Sequence, residues 1–92
     1  MNKYLIEVHH DADVYECKQT VSVFLSSGSH FLTNADWGCK DGVHKTWFMM
    51  DADNKDEVIR IVPPAYRKDT VIVQLSKFKP KDFEELQKHH EG

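Results

Sequence analysis

The sequence lacks most of the motifs that mark specialised sites. Its 92 residues include only 2 cysteines and 4 glycines. Cys17 and Cys39 form no Cys-x-x-Cys pair, so neither a zinc finger nor a dithiol redox site is indicated. Because no Gly-x-Gly-x-x-Gly run, phosphate-binding loop or nucleophile elbow occurs, the sequence gives no sign of a nucleotide cofactor.

An excess of positive charge and long apolar runs are also missing. The formal net charge is -3, and no basic stripe is present to neutralise phosphates, so we do not expect nucleic acid as a partner. No segment is long enough to span a membrane, and residues 1–8, interrupted by Lys3 and Glu7, do not resemble a signal peptide. We therefore expect a cytoplasmic protein that has no membrane partner and whose cysteines are thiols.

The patterns that are present predict one α+β domain over residues 1–79 and a tail helix over residues 80–92. Alternating side chains predict strands at Lys3–His10, in both arms of a hairpin within His30–Asp51, and at Thr70–Lys77. Helical spacing predicts one helix that Asp13 caps and a second that begins at Asp53 or Asn54.

The order β-α-β-β-α-β is that of the ferredoxin-like fold. Right-handed connections then give an antiparallel sheet with the strand order 4-1-3-2 and both helices on one face. We expect the helices to cover the more apolar set of strand residues, which is Tyr4, Ile6, Val8, Phe31, Ala35, Trp37, Trp47, Met49, Val71, Val73 and Leu75.

The opposite face mixes apolar and polar side chains. Leaving Leu5, Leu32, Phe48, Met50 and Ile72 bare would expose an apolar patch that monomers rarely show. The tail helix is one candidate cover, and a second copy of the chain packed sheet to sheet is the one we favour. We therefore predict a homodimer.

Topology predicts a site at one end of this mixed face. His9 near the end of strand 1, Asp36 near the end of strand 2 and His44 at the start of strand 3 should converge, with Glu7 one step deeper. Two imidazoles and a carboxylate can hold a divalent metal, or they can form an acid-base pair in which Asp36 fixes the tautomer of a histidine. They can equally be rim residues bonded to one another and to water.

The remaining polar side chains of that face would form the wall of a ligand pocket. They are Asn34, Thr46, Gln74 and Ser76. Cys39, at the turn near His44, is either a reactive thiol, a soft metal ligand or a small apolar residue. Cys17 is expected to pack in the core, and His10 to face the other side of the sheet in solvent.

Two resemblances extend this interpretation. The whole-chain pattern resembles the dimeric α+β barrel group, which includes muconolactone isomerase-like proteins and cofactor-independent monooxygenases and in which paired sheets enclose a pocket. The runs Ser27–Lys45 and Ile61–Arg67 resemble a family of short, uncharacterised bacterial proteins. The first resemblance implies a homodimer with a pocket, and the second implies a bacterial origin.

Three functions follow as alternatives. The first is binding of a small molecule or a divalent metal on the helix-free face. The second is a cofactor-independent isomerase or monooxygenase that uses His9 or His44 with Asp36. The third is a non-catalytic interaction or regulatory module whose mixed face is a partner surface.

Overall fold

The computed structural model describes residues 1–91, so Gly92 lies outside it, as do the side chains of residues 85 and 89–91. The strands are β1 (Asn2–His9), β2 (Asp36–Trp37), β3 (Lys45–Ala52) and β4 (Thr70–Leu75). The α-helices are α1 (Val14–Ser26), α2 (His30–Thr33), α3 (Lys55–Ile61) and α4 (Phe83–Glu91), and 3₁₀ turns cover Cys39–Asp41, Pro64–Asp69 and Pro80–Asp82. The predicted α+β class is confirmed. Within residues 1–91 no helix combines the length and the apolar character that crossing a bilayer requires.

The four strands form one antiparallel sheet in the order β2-β3-β1-β4. β1 occupies the centre, where it pairs with β3 from Asn2 opposite Ala52 to His9 opposite Lys45. Its other edge pairs with β4, whereas β2 adds only two residue pairs to β3. The end of β1 and the start of β3 therefore lie side by side, and this juxtaposition positions the site described below.

Two helices begin where the sequence predicts. The Asp13 carboxylate accepts a hydrogen bond of 2.9 Å from the amide of Tyr15 at the start of α1. The Asn54 side-chain oxygen accepts one of 3.0 Å from the amide of Glu57 at the start of α3. Each side chain satisfies an amide that has no partner within its own helix, which stabilises the helix by about 1 kcal/mol.

The core lies between the helices and one face of the sheet, which we call the inner face. Tyr4, Ile6 and Val8 of β1 form its centre, and all three are buried. The helices and the segments that follow them cover this face with Phe24, Leu32, Val58 and Val62, each no more than 1% exposed. Burying an apolar side chain of this size contributes about 1.5–3 kcal/mol, so these contacts dominate the stability of the fold.

The first arm of the predicted hairpin departs from expectation. The prediction of a strand from His30 is wrong, because residues 30–33 form α2 and only Asp36–Trp37 pair as a strand. The Ser29 hydroxyl accepts a hydrogen bond of 3.5 Å from the amide of Leu32, and the Thr33 hydroxyl donates to the Ser29 carbonyl at 3.0 Å. Local hydrogen bonds of this kind compete with a strand ladder. Leu32 consequently lies in the core and not on the opposite face.

β3 faces the opposite way from the prediction. Thr46 and Phe48 are buried, whereas Trp47 is half-buried and Met49 is exposed. β1 fixes this register by placing Ile6 opposite Phe48. The connection from β2 contains a 3₁₀ turn and four further residues, which is longer than the tight turn expected. A shift of one residue exchanges the two faces of a strand, and this shift explains the error.

β4 is reversed in the same way. Ile72 lies opposite Ile6 and is half-buried, so it belongs to the inner face. The residues of β3 and β4 that were predicted to be covered by helices lie instead on the helix-free side of the sheet, which we call the outer face. Its apolar members are Leu5, Met49, Val71, Val73 and Leu75, of which all but Leu5 are exposed.

Candidate metal centre

Three possible metal ligands meet where β1 ends beside the start of β3. His10, Cys39 and His44 each place one ligand atom within 4.8 Å of the other two. The His10 Nε2 atom lies 3.1 Å from the Cys39 Sγ atom. The His10 and His44 rings are 5.7 Å apart between centroids and nearly perpendicular, at 88°. The group thus combines two imidazoles and one thiol from separate segments of the chain.

The backbone holds His10 and His44 together. The amide of His10 donates a hydrogen bond of 3.0 Å to the carbonyl of His44. This bond extends the β1–β3 ladder one step past its last pair, in which His9 lies opposite Lys45. Because successive side chains of a strand point to opposite faces, His9 is exposed and His10 turns toward the buried side.

Two glycines shape the loop that presents Cys39. Gly42 ends the 3₁₀ turn in the left-handed conformation, with a φ of 81°, and its amide donates to the Cys39 carbonyl. A Cβ atom on Gly38 would lie 2.7 Å from the carbonyl oxygen of Val43, so only glycine fits there. The tight loop brings Cys39 back toward His44.

Aromatic side chains wall the cluster on the core side. The Trp37 ring lies 5.9 Å from that of His10 in an edge-to-face arrangement, and Phe24 packs 5.2 Å behind Trp37. His10 is only 5% exposed, while Cys39 and His44 are half-buried. The cluster is therefore buried at His10 and open to water at its other two members.

Electrostatics favours the neutral forms of His10 and Cys39. Burial lowers the pKa of His10, and the neighbouring His44 lowers it further. Burial raises the pKa of the Cys39 thiol to about 11, and a hydrogen bond with Cys17 adds to the effect. His10 is thus held in the neutral form that binds metals, whereas Cys39 requires a nearby cation to become a thiolate.

Two polar atoms of the cluster have no protein partner. Among the described residues, the Nδ1 atoms of His10 and His44 are the buried side-chain nitrogen and oxygen atoms without a hydrogen bond. Leaving such an atom unsatisfied costs about 1–3 kcal/mol. A neutral imidazole nitrogen without a proton is also the atom that coordinates a metal. The unsatisfied nitrogens therefore point to a ligand.

The structure does not gather the site predicted from the sequence. His9 is exposed beside β1, and Glu7 lies on the outer face, where it accepts a hydrogen bond of 3.1 Å from the Trp47 indole and pairs with Lys45 at 3.6 Å. Asp36 is exposed and lies opposite Trp47. Of the predicted metal set, only His44 belongs to the cluster, because the reversed face of β3 separates the others from it.

The predicted pocket wall is also dispersed. The Thr46 hydroxyl is fully buried and donates to the Asp36 carbonyl at 2.8 Å. The Asn34 amide donates to the His30 carbonyl at 2.8 Å and so serves the end of α2. Gln74 lies opposite Tyr4, whereas Ser76 lines a depression of about 490 Å³ beside Lys77. These four residues do not share one cavity wall.

The residue that sequence reasoning missed is His10. The alternation of β1 places it on the correct side of the sheet, but solvent was expected there. Two observations from the sequence could have indicated it. The pair His9-His10 at a strand end sends one imidazole to each face of the sheet, and Cys39 was already predicted to lie near His44. Only because β3 turns the opposite face inward do His10, Cys39 and His44 lie together.

No family model, curated protein or solved structure matches the chain. The interpretation of the cluster therefore depends on its own geometry and chemistry.

Proposed function

We propose that the protein binds a divalent transition metal, best Zn²⁺, through His10, Cys39 and His44. The observation that carries this proposal is the convergence of three ligand atoms within 4.8 Å. The Nδ1 atoms of the same two histidines are buried and have no hydrogen-bond partner. Around a tetrahedral zinc, nitrogen and sulfur ligands lie about 3.5 Å apart. The cluster therefore needs to contract by roughly 1 Å to close on the ion.

The donor set supports zinc over the abundant hard cations. Mg²⁺ and Ca²⁺ take oxygen ligands, and this cluster offers only nitrogen and sulfur. Imidazole and thiolate together suit Zn²⁺, which imposes no geometry of its own beyond a preference for four ligands. Cobalt would enter the same site and supply a spectroscopic probe.

Binding at this position would couple the metal to the folded state. The ligands come from the end of β1, the 3₁₀ turn and the start of β3, and they converge only when the hairpin is paired with β1. An ion held there binds the native chain and not the unfolded one. At a free concentration one hundred times its dissociation constant it would add about 2.7 kcal/mol to the free energy of unfolding.

Calorimetric titration tests the proposal. Untagged protein carrying His89→Gln and His90→Gln is used, so that tail imidazoles do not contribute. We expect one Zn²⁺ per chain, no heat with Mg²⁺, and loss of zinc binding in His44→Ala. His30→Ala, which removes an exposed histidine elsewhere, is the matched control. The proposal fails if the chain binds no zinc or if His44→Ala binds it unchanged.

The outer face supports a second candidate, a homodimer of the α+β barrel type. Its exposed apolar row of Met49, Val71, Val73 and Leu75 is the kind of surface that a partner covers. Lys3, opposite Asp51, lies toward one end of the row, and Glu7, paired with Lys45, lies toward the other. A two-fold axis would place each of these charged pairs on the other pair of the partner copy.

Sedimentation tests the dimer. Val73→Glu should give a monomer, while Val14→Glu, on the exposed side of α1, should leave the dimer intact. A monomeric wild type would reject this candidate, and with it a pocket enclosed between paired sheets. The acid-base pair of His44 with Asp36 receives no support from the geometry, because Asp36 lies opposite Trp47 whereas His44 contacts His10.

A further inference from the structure

A second thiol adjoins the cluster. Cys17 lies in the first turns of α1, where its amide donates to the Asp13 carbonyl at 2.9 Å. It is half-buried and lies three residues before Thr20 and seven before Phe24, both fully buried, so it sits on the side of α1 that packs on the core. Cys17 also helps to raise the pKa of the Cys39 thiol, so the two side chains are close enough to interact. The thiol therefore lies on the part of α1 that adjoins the cluster.

Charge gives a reason for a second thiolate. Zn²⁺ bound by the Cys39 thiolate and two neutral imidazoles carries a net charge of about +1. His10 is 5% exposed, and a charge without a counter-ion is costly in so little water. Glu16 and Asp11 act electrostatically on His10 but do not belong to the group of converging ligand atoms. A thiolate from Cys17 would make the site neutral.

We propose that Cys17 is the fourth protein ligand of the zinc site, which makes it a closed Cys₂His₂ site that fixes α1 to the end of the sheet. This inference rests on the proposed function. Two thiol protons leave to the buffer as the two sulfur–zinc bonds form, and no electrons are transferred. Four protein ligands leave no position for water, so the role of the ion is structural.

Closure of the site requires the Cys17 side chain to move. Cys17 is not among the atoms that already lie within 4.8 Å of one another, so its side chain must turn inward from its contact with Cys39. A depression of about 590 Å³, lined by Val14, Val21 and Leu25, adjoins Cys17 on the outside of α1. The Cys17 side chain is therefore not locked by packing on that side.

An open site is the competing arrangement. A polar cavity of about 340 Å³ reaches His10 from the solvent side and is also lined by Asp11, Glu16, Tyr66 and Lys68. Water from this cavity would complete a three-ligand site and leave the zinc with a reactive position. The number of sulfur ligands separates the two arrangements.

Cobalt substitution of the full chain, with His89→Gln and His90→Gln as background, counts those ligands. We expect a tetrahedral Co²⁺ spectrum whose thiolate charge-transfer band falls to about half in Cys17→Ser, with zinc affinity reduced more than about 100-fold. Ser22→Ala, an exposed position on the same helix, should change neither quantity. Circular dichroism of each variant establishes that the chain is folded.

X-ray absorption of the zinc-loaded wild type gives an answer that needs no variant. Two sulfur and two nitrogen scatterers, at about 2.3 and 2.0 Å, are expected. One sulfur, with the Cys17→Ser spectrum unchanged, would overturn the closed site while leaving the three-ligand proposal intact. Absence of zinc binding in the wild type would reject both.

Discussion

Two groups of polar residues at the same end of the sheet differ in how their hydrogen bonds are satisfied. On the outer face, Glu7 binds the Trp47 indole and Lys45, and Asp36 is exposed to water. On the inner face, the buried Nδ1 atoms of His10 and His44 have no hydrogen-bond partner. Because buried polar atoms nearly always have partners, this difference is the reason that we place the proposed metal site in the inner group.

His9 and His10 show the same contrast between adjacent residues. One is exposed, and the other is 5% exposed and 3.1 Å from a cysteine sulfur. Composition and charge are the same for both, so only the alternation of β1 distinguishes them. The surroundings of a histidine in this chain thus depend on which face of the sheet it occupies.

The wall behind the cluster provides the largest expected effect. Phe24→Ala should lower the free energy of unfolding by about 3–5 kcal/mol, since Phe24 is fully buried against Trp37. Val14→Ala, at an exposed position of the same helix, should change it by less than about 0.5 kcal/mol. Urea unfolding measures the free energy of unfolding of both variants. Similar losses in the two would contradict the assignment of Phe24 to the core and of Val14 to the exposed side of α1.

Zinc should stabilise the folded protein only by binding to the cluster of His10, Cys39 and His44. Zinc at saturating concentration is expected to raise the melting temperature by roughly 10–20 °C, from about 2.7 kcal/mol in a domain of this size. EDTA should reverse the shift, and Cys39→Ala should abolish it. An equal shift in wild type and Cys39→Ala would show that the ion binds elsewhere.

The metal-free chain should lose stability at both ends of the pH scale. The pKa of His10 is lower in the folded state than in the unfolded one, so folding disfavours its protonation and stability falls as the pH drops below about 6.5. The pKa of Cys39 is raised to about 11, so its contribution is complete below about 9 and is lost as the pH rises through the folded value.

Thermal unfolding in EDTA across this range tests both limits. His10→Gln should remove the acid-side decline, and His9→Gln should leave it in place. An acid-side decline that persists in His10→Gln would mean that other groups cause it.

The polar group on the outer face should contribute least to stability and nothing to zinc binding. The Glu7–Lys45 pair is partly exposed, so Glu7→Gln is expected to cost no more than about 1 kcal/mol and to leave zinc affinity unchanged. Calorimetry on this variant checks that the outer face takes no part in binding. A large loss of affinity would remove the distinction between the two groups.

The sequence predicts the parts of the fold that local chemistry determines. Asp13 and Asn54 mark the starts of two helices, and the alternation in β1 correctly separates Ile6 and Val8 from Glu7 and His9. The strand from His30 was wrong because the hydroxyls of Ser29 and Thr33 satisfy a helical turn there. No periodicity rule reveals that competition.

The candidate site could be predicted only in part, because it depends on the register between β1 and β3. Sequence reasoning identified His44 and noted Cys39 beside it, but it turned His44 toward Asp36 and not toward His10. Pairing with β1, and not any residue type within the hairpin, sets the face of β3. The candidate ligands therefore come together through a long-range pairing of two strands, which the residue pattern of a single strand does not reveal.

The most direct test of the account is zinc affinity in two variants of adjacent residues, measured by competition with a chelator on the His89→Gln/His90→Gln background. His10→Ala is expected to weaken binding more than about 100-fold, and His9→Ala to leave it within about twofold. Equal affinities in the two variants, or a larger loss in His9→Ala, would contradict the claim that the cluster of His10, Cys39 and His44 is the metal site.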